Sequence, residues 1–426
     1  MTSVVAILNN QAVALAADSA VTTSGPYSQK IYNTVNKLFT LSKYQPVGIM
    51  VYSSAEVLTI PIETVIKSYR QQRKDAFCLS LQDYADDFLT FLKTESSLFP
   101  KKVRIEHANQ VIHFNLVQLR DRIMRRLTTD FPNWGEPTRN QVKQAARTLL
   151  KEHHQLFHTS NELPNVTPQT RTKLKPQIKD VIDVWKKEFK HTFALSNADV
   201  TMLSEIGLDL LLREYRTGIE TGFVIAGFGE DEYVPQLRSF ELESSVLNVH
   251  KVRDGNSVDI SRIQAAIVPF AQTEMVETFV QGRESSLDNL LLTLIDHYFT
   301  DQKNIVSQNS AARTNIAAIH SLMDTLCTGL RQQFSAELAE FTKKKHIDPV
   351  LATVNSMPKE ELATMAEALV NLTSIKRRMS PDAETVGGPI DVAVISKGDG
   401  FVWIKRKHYF RPELNPGFEY NYFKGG

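Results

Sequence analysis

The stretch TSVVAILNNQAVALAADSAVT, residues 2–22, holds two short apolar runs on either side of an Asn9-Asn10 pair. Residues 2–8 and 11–17 read as strands with buried faces, and paired asparagines suit the positive φ values of a two-residue hairpin turn. In that register Leu8 faces Gln11, Thr2 lies opposite Ala17, and Asp18 stands beside the start of the chain. Outward from this hairpin the pattern repeats. Residues 37–42 (KLFTLS) and 46–52 (PVGIMVY) form a second strand-turn-strand, after which Pro61, read as a first-turn proline, opens a helix through Val65, Ile66 and Tyr69.

Residues 74–217 read differently. They are charged and helix-periodic, with Val103, Val111, Ile112, Leu116, Leu119 and Ile123 among the apolar positions, so they read as an inserted helical region. Strand character returns at residues 221–228, 236–242 and 244–252, and helical patterns follow at 272–281, 285–300, 307–345 and 359–377. Strands at 390–396 and 401–405, joined by Gly398-Asp399-Gly400, close the pattern. The expected segments are therefore 1–73, two hairpins and a helix; 74–217, the insertion; 218–306, further strands and helices; 307–380, a helical extension; and 381–426, the last strands and a tail. Strands enclosing helices fit an α+β or layered sandwich better than a regular βαβ alternation.

The 426 residues are 42% hydrophobic, and 49 Lys+Arg against 48 Asp+Glu leave a formal charge of +1, which argues against a nucleic-acid-coating or polybasic membrane-binding protein. No apolar run approaches the length of a membrane span and no basic segment precedes the first apolar residues, so a cytoplasmic location is the default expectation. Cys78 and Cys327 stand far apart in no metal-ligand spacing, which suggests two reduced thiols.

Thr2 carries the sharpest chemical hypothesis. Met1 precedes a small residue, the context in which the initiator is commonly removed, and a mature chain starting at Thr2 would offer a hydroxyl and a free amine on one residue. An α-amine has an ordinary pKa near ~8, close to what a general base needs at neutral pH. Only an N-terminal Ser, Thr or Cys offers this pairing of nucleophile and base.

Thr2, residues 12–22 (AVALAADSAVT) and residues 36–41 (NKLFTL) resemble the opening of proteasome β-subunits and of the bacterial HslV peptidase, both N-terminal nucleophile (Ntn) hydrolases. The resemblance implies Thr2 as nucleophile, Asp18 at the end of the second strand, and Lys37 just before the third, with a longer intervening loop and Lys30 as competitor for the lysine role. It reappears at Asp382-Ala383-Glu384-Thr385-Val386-Gly387-Gly388, similar to the family's D-x-x-S-G-G motif with Thr385 for the serine and one residue inserted. There Asp382 and Thr385 would orient the terminal amine. Residues 224–228 (VIAGF) are similar to the family's middle strands, and residues 265–275 cover the segment of its serine loop without a matching serine.

One departure falls at the oxyanion hole. The family's glycine is replaced by Tyr52-Ser53-Ser54-Ala55, which leaves the N–H of Ser53 or Tyr52 as the donor. The implied fold is an α+β, four-layer αββα Ntn sandwich carrying an inserted helical region. The implied activity is a threonine peptidase or amidase acting on a peptide or protein substrate without a cofactor, in a homo-oligomeric ring, with a separate ATPase unfoldase as a possible partner. The alternatives are an inactive Ntn-fold scaffold whose insertions bind partners and an amidase for small molecules. Residues 74–217 and part of 307–377 lie outside the resemblance.

Other motifs read as bland. His154 and His158 have helical metal-pair spacing, but Gln155 stands where HExxH needs Glu; His107 and His113 share no helix face. No P-loop or GxGxxG supports an intrinsic ATPase. The run Lys405-Arg406-Lys407-His408 reads as a solvated strand end rather than a nucleic-acid site, and the aromatic tail at 418–423 as a segment that docks on a neighbour or folds back.

Overall fold

A computed structural model describes residues 3–24, 29–130, 138–308, 315–380, 386–408 and 410–417. The first elements in chain order are strands β1 (Ser3–Asn9), β2 (Val13–Ala17), β3 (Val21–Ser24), β4 (Gln29–Tyr32), β5 (Leu38–Thr40), β6 (Val47–Tyr52), β7 (Glu56–Val57) and β8 (Ile60–Pro61). Seven helices follow: α1 (Ile62–Arg73), α2 (Leu81–Thr94), α3 (Lys101–Asp130), α4 (Arg139–Thr159), α5 (Pro168–Leu174), α6 (Lys179–Phe193) and α7 (Asn197–Leu212). Then come β9 (Thr221–Gly227), β10 (Gln236–Val246), β11 (Val249–Asp259) and β12 (Ala265–Ala271), followed by α8 (Glu274–Gln281), α9 (Ser285–Gln308), α10 (Ile316–Thr342), α11 (Asp348–Ser356) and α12 (Lys359–Met379). Strands β13 (Asp391–Ser396) and β14 (Gly400–Lys405) complete the order. The class is mixed helix and antiparallel sheet, in accord with α+β.

The chain divides into two compact units, residues 1–38, 233–236 and 259–426 in the first and 39–232 and 237–258 in the second. The first unit holds a five-stranded sheet in the order β12-β1-β2-β13-β14. One face of it, through Val5, Ile7, Ala14 and Ala16, packs on Val276 of α8, Val354 of α11 and Leu362, Ala366 and Leu369 of α12. The alternate side chains Val4, Ala6, Leu8, Val13 and Leu15 are equally buried, so the β1–β2 hairpin is covered on both faces, whereas the edge strand β14 is partly exposed.

The β1–β2 hairpin departs from its expected register. Val4, not Thr2, pairs with Ala17, and Leu8 pairs with Val13 across a four-residue connection closed by Asn9 N–H donating to Ala12 O at 3.1 Å. Neither Asn9 nor Asn10 has a positive φ. Instead the buried Asn9 side chain accepts from Gln11 N and Ala12 N at 2.9 and 3.2 Å and donates to Val354 O and Met357 O at 3.0 and 2.9 Å. Besides turning the chain, Asn9 therefore anchors the hairpin to the end of α11. Pro61 likewise stands at the N-cap of α1 rather than inside its first turn.

In the second unit the sheet order is β11-β10-β9-β6-β5, with β6 and β9 antiparallel. Helices α1 and α2 pack on it: Phe88 meets Phe223 edge-on at 5.5 Å and Tyr69 at 5.0 Å between ring centres. Helices α3, α4, α6 and α7 build a second core around Ile112, Leu116, Leu150, Phe189 and Leu211. The segment 74–217 therefore has two parts, α2 belonging with the sheet and α3 to α7 with their own core. The expected boundary at 307 falls inside α9.

Ser80, Thr138 and Ser196 each close a reciprocal capping box on α2, α4 and α7, with Asp83, Gln141 and Asp199 as partners. His107 sits in this helical unit, buried, with Nδ1 lacking a partner among the described residues. Burial holds its pKa down to about 4, against an ordinary 6.5. Between those values the unfolded chain binds more protons, so stability falls as the pH drops through that window. Urea unfolding is expected to lose on the order of 3 kcal/mol between pH 7 and pH 4 from this one group, and His107→Leu is expected to flatten the dependence. An unchanged slope in the variant would refute the assignment to His107.

Candidate active site

Asp18 directly follows β2, 1% exposed, with its backbone N–H on Ser3 O at 3.1 Å. Its Oδ1 accepts from Ser3 N at 3.0 Å and from Lys37 Nζ at 2.6 Å. Its Oδ2 accepts from Ala20 N and Gly387 N, each at 3.2 Å. Four donors around one buried carboxylate fix its position. Lys37, 5% exposed, also donates to Ala20 O. Burial draws its pKa below the ordinary lysine value, the neighbouring Asp18 opposes that, and Lys407 adds to the lowering.

Backbone bonds lock the converging segments together. Ser19 N–H donates to Gly387 O at 3.1 Å, Val35 N–H to Ser19 O at 3.2 Å, and the Ser19 hydroxyl to Pro389 O. Gly388 has φ +77°, and a Cβ there would lie 2.8 Å from Asn33 Cβ, so glycine is needed at 388 for close approach as well as conformation. Segments near residues 3, 18, 37 and 387 thus meet at one carboxylate.

Lys30 is exposed in β4, so among the described lysines it is Lys37 that meets Asp18. Thr2, Asp382 and Thr385 lie outside the described residues. Ser3, the residue after Thr2, has its N–H on Asp18 while its buried hydroxyl has no partner among the described residues. Across the ladder from Ser3 stands Ala271 with φ +62°, a left-handed conformation uncommon for alanine, in the segment matched to the serine loop.

Ser53 belongs to the second unit. It follows β6 with φ +68°, exposed, and its N–H makes no hydrogen bond among the described residues. The position has the left-handed backbone that glycine adopts most readily, and its N–H points to no acceptor among the described residues. Tyr52 is instead paired with Gly222 in the ladder, and its hydroxyl donates to Glu241 at 3.1 Å. Ser53→Gly is expected to stabilise the fold by about 0.5–1 kcal/mol by relieving the left-handed conformation. A lower unfolding midpoint would contradict that account.

A second buried ion pair, Asp391 with Lys407, lies beside the first. Asp391, 2% exposed and paired with Ala17 across β13 and β2, takes both the backbone N–H and the ammonium of Lys407. In the run 405–408, Lys405, Arg406 and His408 are exposed as expected of a solvated strand end, and Lys407 is the exception, drawn in to Asp391. Lys405 pairs with Glu367 at 2.5 Å and Arg406 lies over the Trp403 ring at 4.7 Å. An aspartate opening a strand and a lysine just beyond the next one was the available signal.

His154 and His158 face Glu205 and Asp209 at 2.5 and 3.3 Å, and Asp209 is already bound by Arg171 and Arg213. No group of three or more His, Cys, Asp or Glu among the described residues could hold a metal ion. Both cysteines are free thiols. No helix among the described residues is long and apolar enough to cross a membrane. No family model matches the chain, and no curated protein matches it.

Proposed function

We propose that the protein is an N-terminal nucleophile hydrolase of the proteasome β-subunit and HslV type, cleaving amide bonds with Thr2 after removal of Met1. The observation that carries this reading is the Asp18 carboxylate. It gathers Ser3, the neighbour of Thr2, together with Lys37 and Gly387, which come from the three stretches that resemble the family. The Thr2 amine takes the Oγ1 proton, directly or through water, and the alkoxide attacks the carbonyl. The Ser53 N–H is the oxyanion donor in this proposal; the tetrahedral intermediate collapses by breaking the C–N bond, the leaving amine taking the proton held on the Thr2 amine, and water then hydrolyses the acyl-enzyme. Lys37 is a fixed cation that lowers the pKa of amine and hydroxyl, and Asp18 keeps it charged and in place. Asp382 and Thr385 orient the amine.

The finer fold in this reading is the four-layer αββα sandwich. Two features support it: each unit has a five-stranded sheet with helices on a face, and the β1–β2 hairpin is buried on both faces, as inner strands of such a sandwich are. A peptide or protein substrate, a self-compartmentalising homo-oligomer and a separate unfoldase extend the same proposal.

Intact mass with and without a peptidyl epoxyketone tests it. That probe closes its ring only on a residue carrying both a hydroxyl and a free amine. Loss of Met1 and one adduct per chain is the expected result. Retained Met1 with no adduct would replace the enzyme reading with an inactive scaffold.

A further inference from the structure

Helices α9 and α10 form an antiparallel hairpin whose register is set by the bridges Asp296–Arg331 and Lys303–Asp324 and by Ser307 with His320 at 3.1 Å. Its base is clamped, with Arg283 holding Asp288 at 2.7 and 2.9 Å and also bonding Thr342. Yet none of the described residues of α9 is buried, and in α10 the buried one is Thr342, at the base. On α9, Leu287, Leu290, Leu294, Tyr298 and Ile305 fall within an arc of about 80°. On α10, Leu322, Leu326 and Leu330 do the same. All eight are 44 to 61% exposed.

The two arcs lie on one side of the hairpin. On each helix the bridging residues sit roughly 160–200° around from the start of the leucine arc, with the half-buried residues between them. Since the bridges from both helices meet, both leucine arcs point away from them in the same direction. The hairpin thus has a polar, bridged back and an apolar front.

Gly329 lies on that front, level with Tyr298 by the register of Asp296 and Arg331. A Cβ at Gly329 would touch nothing within 4 Å. Glycine weakens a helix relative to alanine, and no contact within the described chain explains it here. A smooth spot in the middle of an apolar face is what close approach of another helix requires.

We propose that the occupant is a second copy of this hairpin, the two fronts closing into an antiparallel four-helix bundle about a two-fold axis at the level of Gly329. The apolar levels lie almost symmetrically about that point: Leu290 and Leu294 on one side match Ile305 and Leu326 on the other, so the face is complementary to itself, as an isologous contact demands. The same axis brings Asp301, the charged residue within the α9 arc, within about two residues of the level of the second copy's His297. Eight half-exposed large side chains amount to an area on the order of the ~800 Å² that each partner gives a standard interface. The proposal is independent of catalysis at Thr2.

Light scattering of the full chain on a sizing column tests it against Leu294→Glu/Leu326→Glu and Gly329→Leu. Glutamate and leucine both favour helix, so both proteins are expected to keep the wild-type helical signal and melting temperature. The double variant is expected to halve the mass of whatever assembly the wild type forms, and Gly329→Leu to weaken self-association at least about 10-fold despite the better helix former. A monomeric wild type, or an assembly unmoved by either variant, overturns the proposal. In a Cys78→Ser/Cys327→Ser background, Gly329→Cys is expected to yield a disulfide-linked dimer on mild oxidation, and its absence would also overturn it.

Discussion

Thr2→Ala protein is expected to lose amide hydrolysis by at least about 10⁴-fold while unfolding at the wild-type midpoint. The substitution removes the attacking oxygen and leaves the rest of the constellation in place: the buried Asp18, its four donors and the Gly387–Gly388 approach do not use the Thr2 side chain. Two companions separate the roles that one residue combines. Thr2→Ser keeps a hydroxyl and an amine and is expected to retain activity within about 10-fold. An uncleavable extension ahead of Thr2 keeps the hydroxyl but turns the amine into an amide, which has no basic lone pair, and is expected to be as dead as the alanine variant. Hydrolysis persisting in pure Thr2→Ala protein would sink the nucleophile assignment, and hydrolysis persisting in the extended chain would sink the base.

What could be read in advance followed local rules, and what could not depended on partners far away in the chain. The strands at 47–52, 221–227 and 391–396 are legible because each is a short apolar run between turn residues. Asn9 was legible as a turn former but not as an anchor, since its partners Val354 and Met357 lie more than three hundred residues on. The β3–β4 hairpin escaped because Val21, Ile31 and Tyr32 are too few to set a period-2 pattern between polar neighbours. Residues 74–217 carry one helical period throughout, and periodicity does not say that α2 turns its apolar face to a sheet while α3 to α7 turn theirs to one another. At the site, Asp18 and Lys37 were found by resemblance and by strand position. The Asp391–Lys407 pair was missed because a basic run reads as solvated unless its acidic partner is known.

Breaking the Asp18–Lys37 pair from its acidic side is expected to cost more than breaking it from its basic side. Asp18→Asn leaves the Lys37 ammonium 5% exposed with no counter-charge, Ala20 O as its remaining partner among the described residues, and Lys407 repelling it. Stranding a buried charge in this way costs about 3–5 kcal/mol. Lys37→Met removes the cation but leaves Asp18 three backbone N–H donors, from Ser3, Ala20 and Gly387, and those stabilise a lone carboxylate directly. The loss from Lys37→Met is therefore expected to be smaller, about 1–3 kcal/mol. The double variant is expected to be more stable than the sum of the single losses by about 1–3 kcal/mol, because it strands nothing. Additive losses in urea unfolding would mean that the two groups do not interact. Activity should vanish in all three proteins, whereas in the wild type it should fade at alkaline pH before the fold does. Burial lowers the pKa of Lys37, so its charge is lost below the ordinary lysine range. Over that same interval the unfolded chain still binds the proton, which makes the contribution of Lys37 to folding stability rise rather than fall with pH. An activity limb coinciding with alkaline unfolding would show that the ammonium is not what the reaction loses.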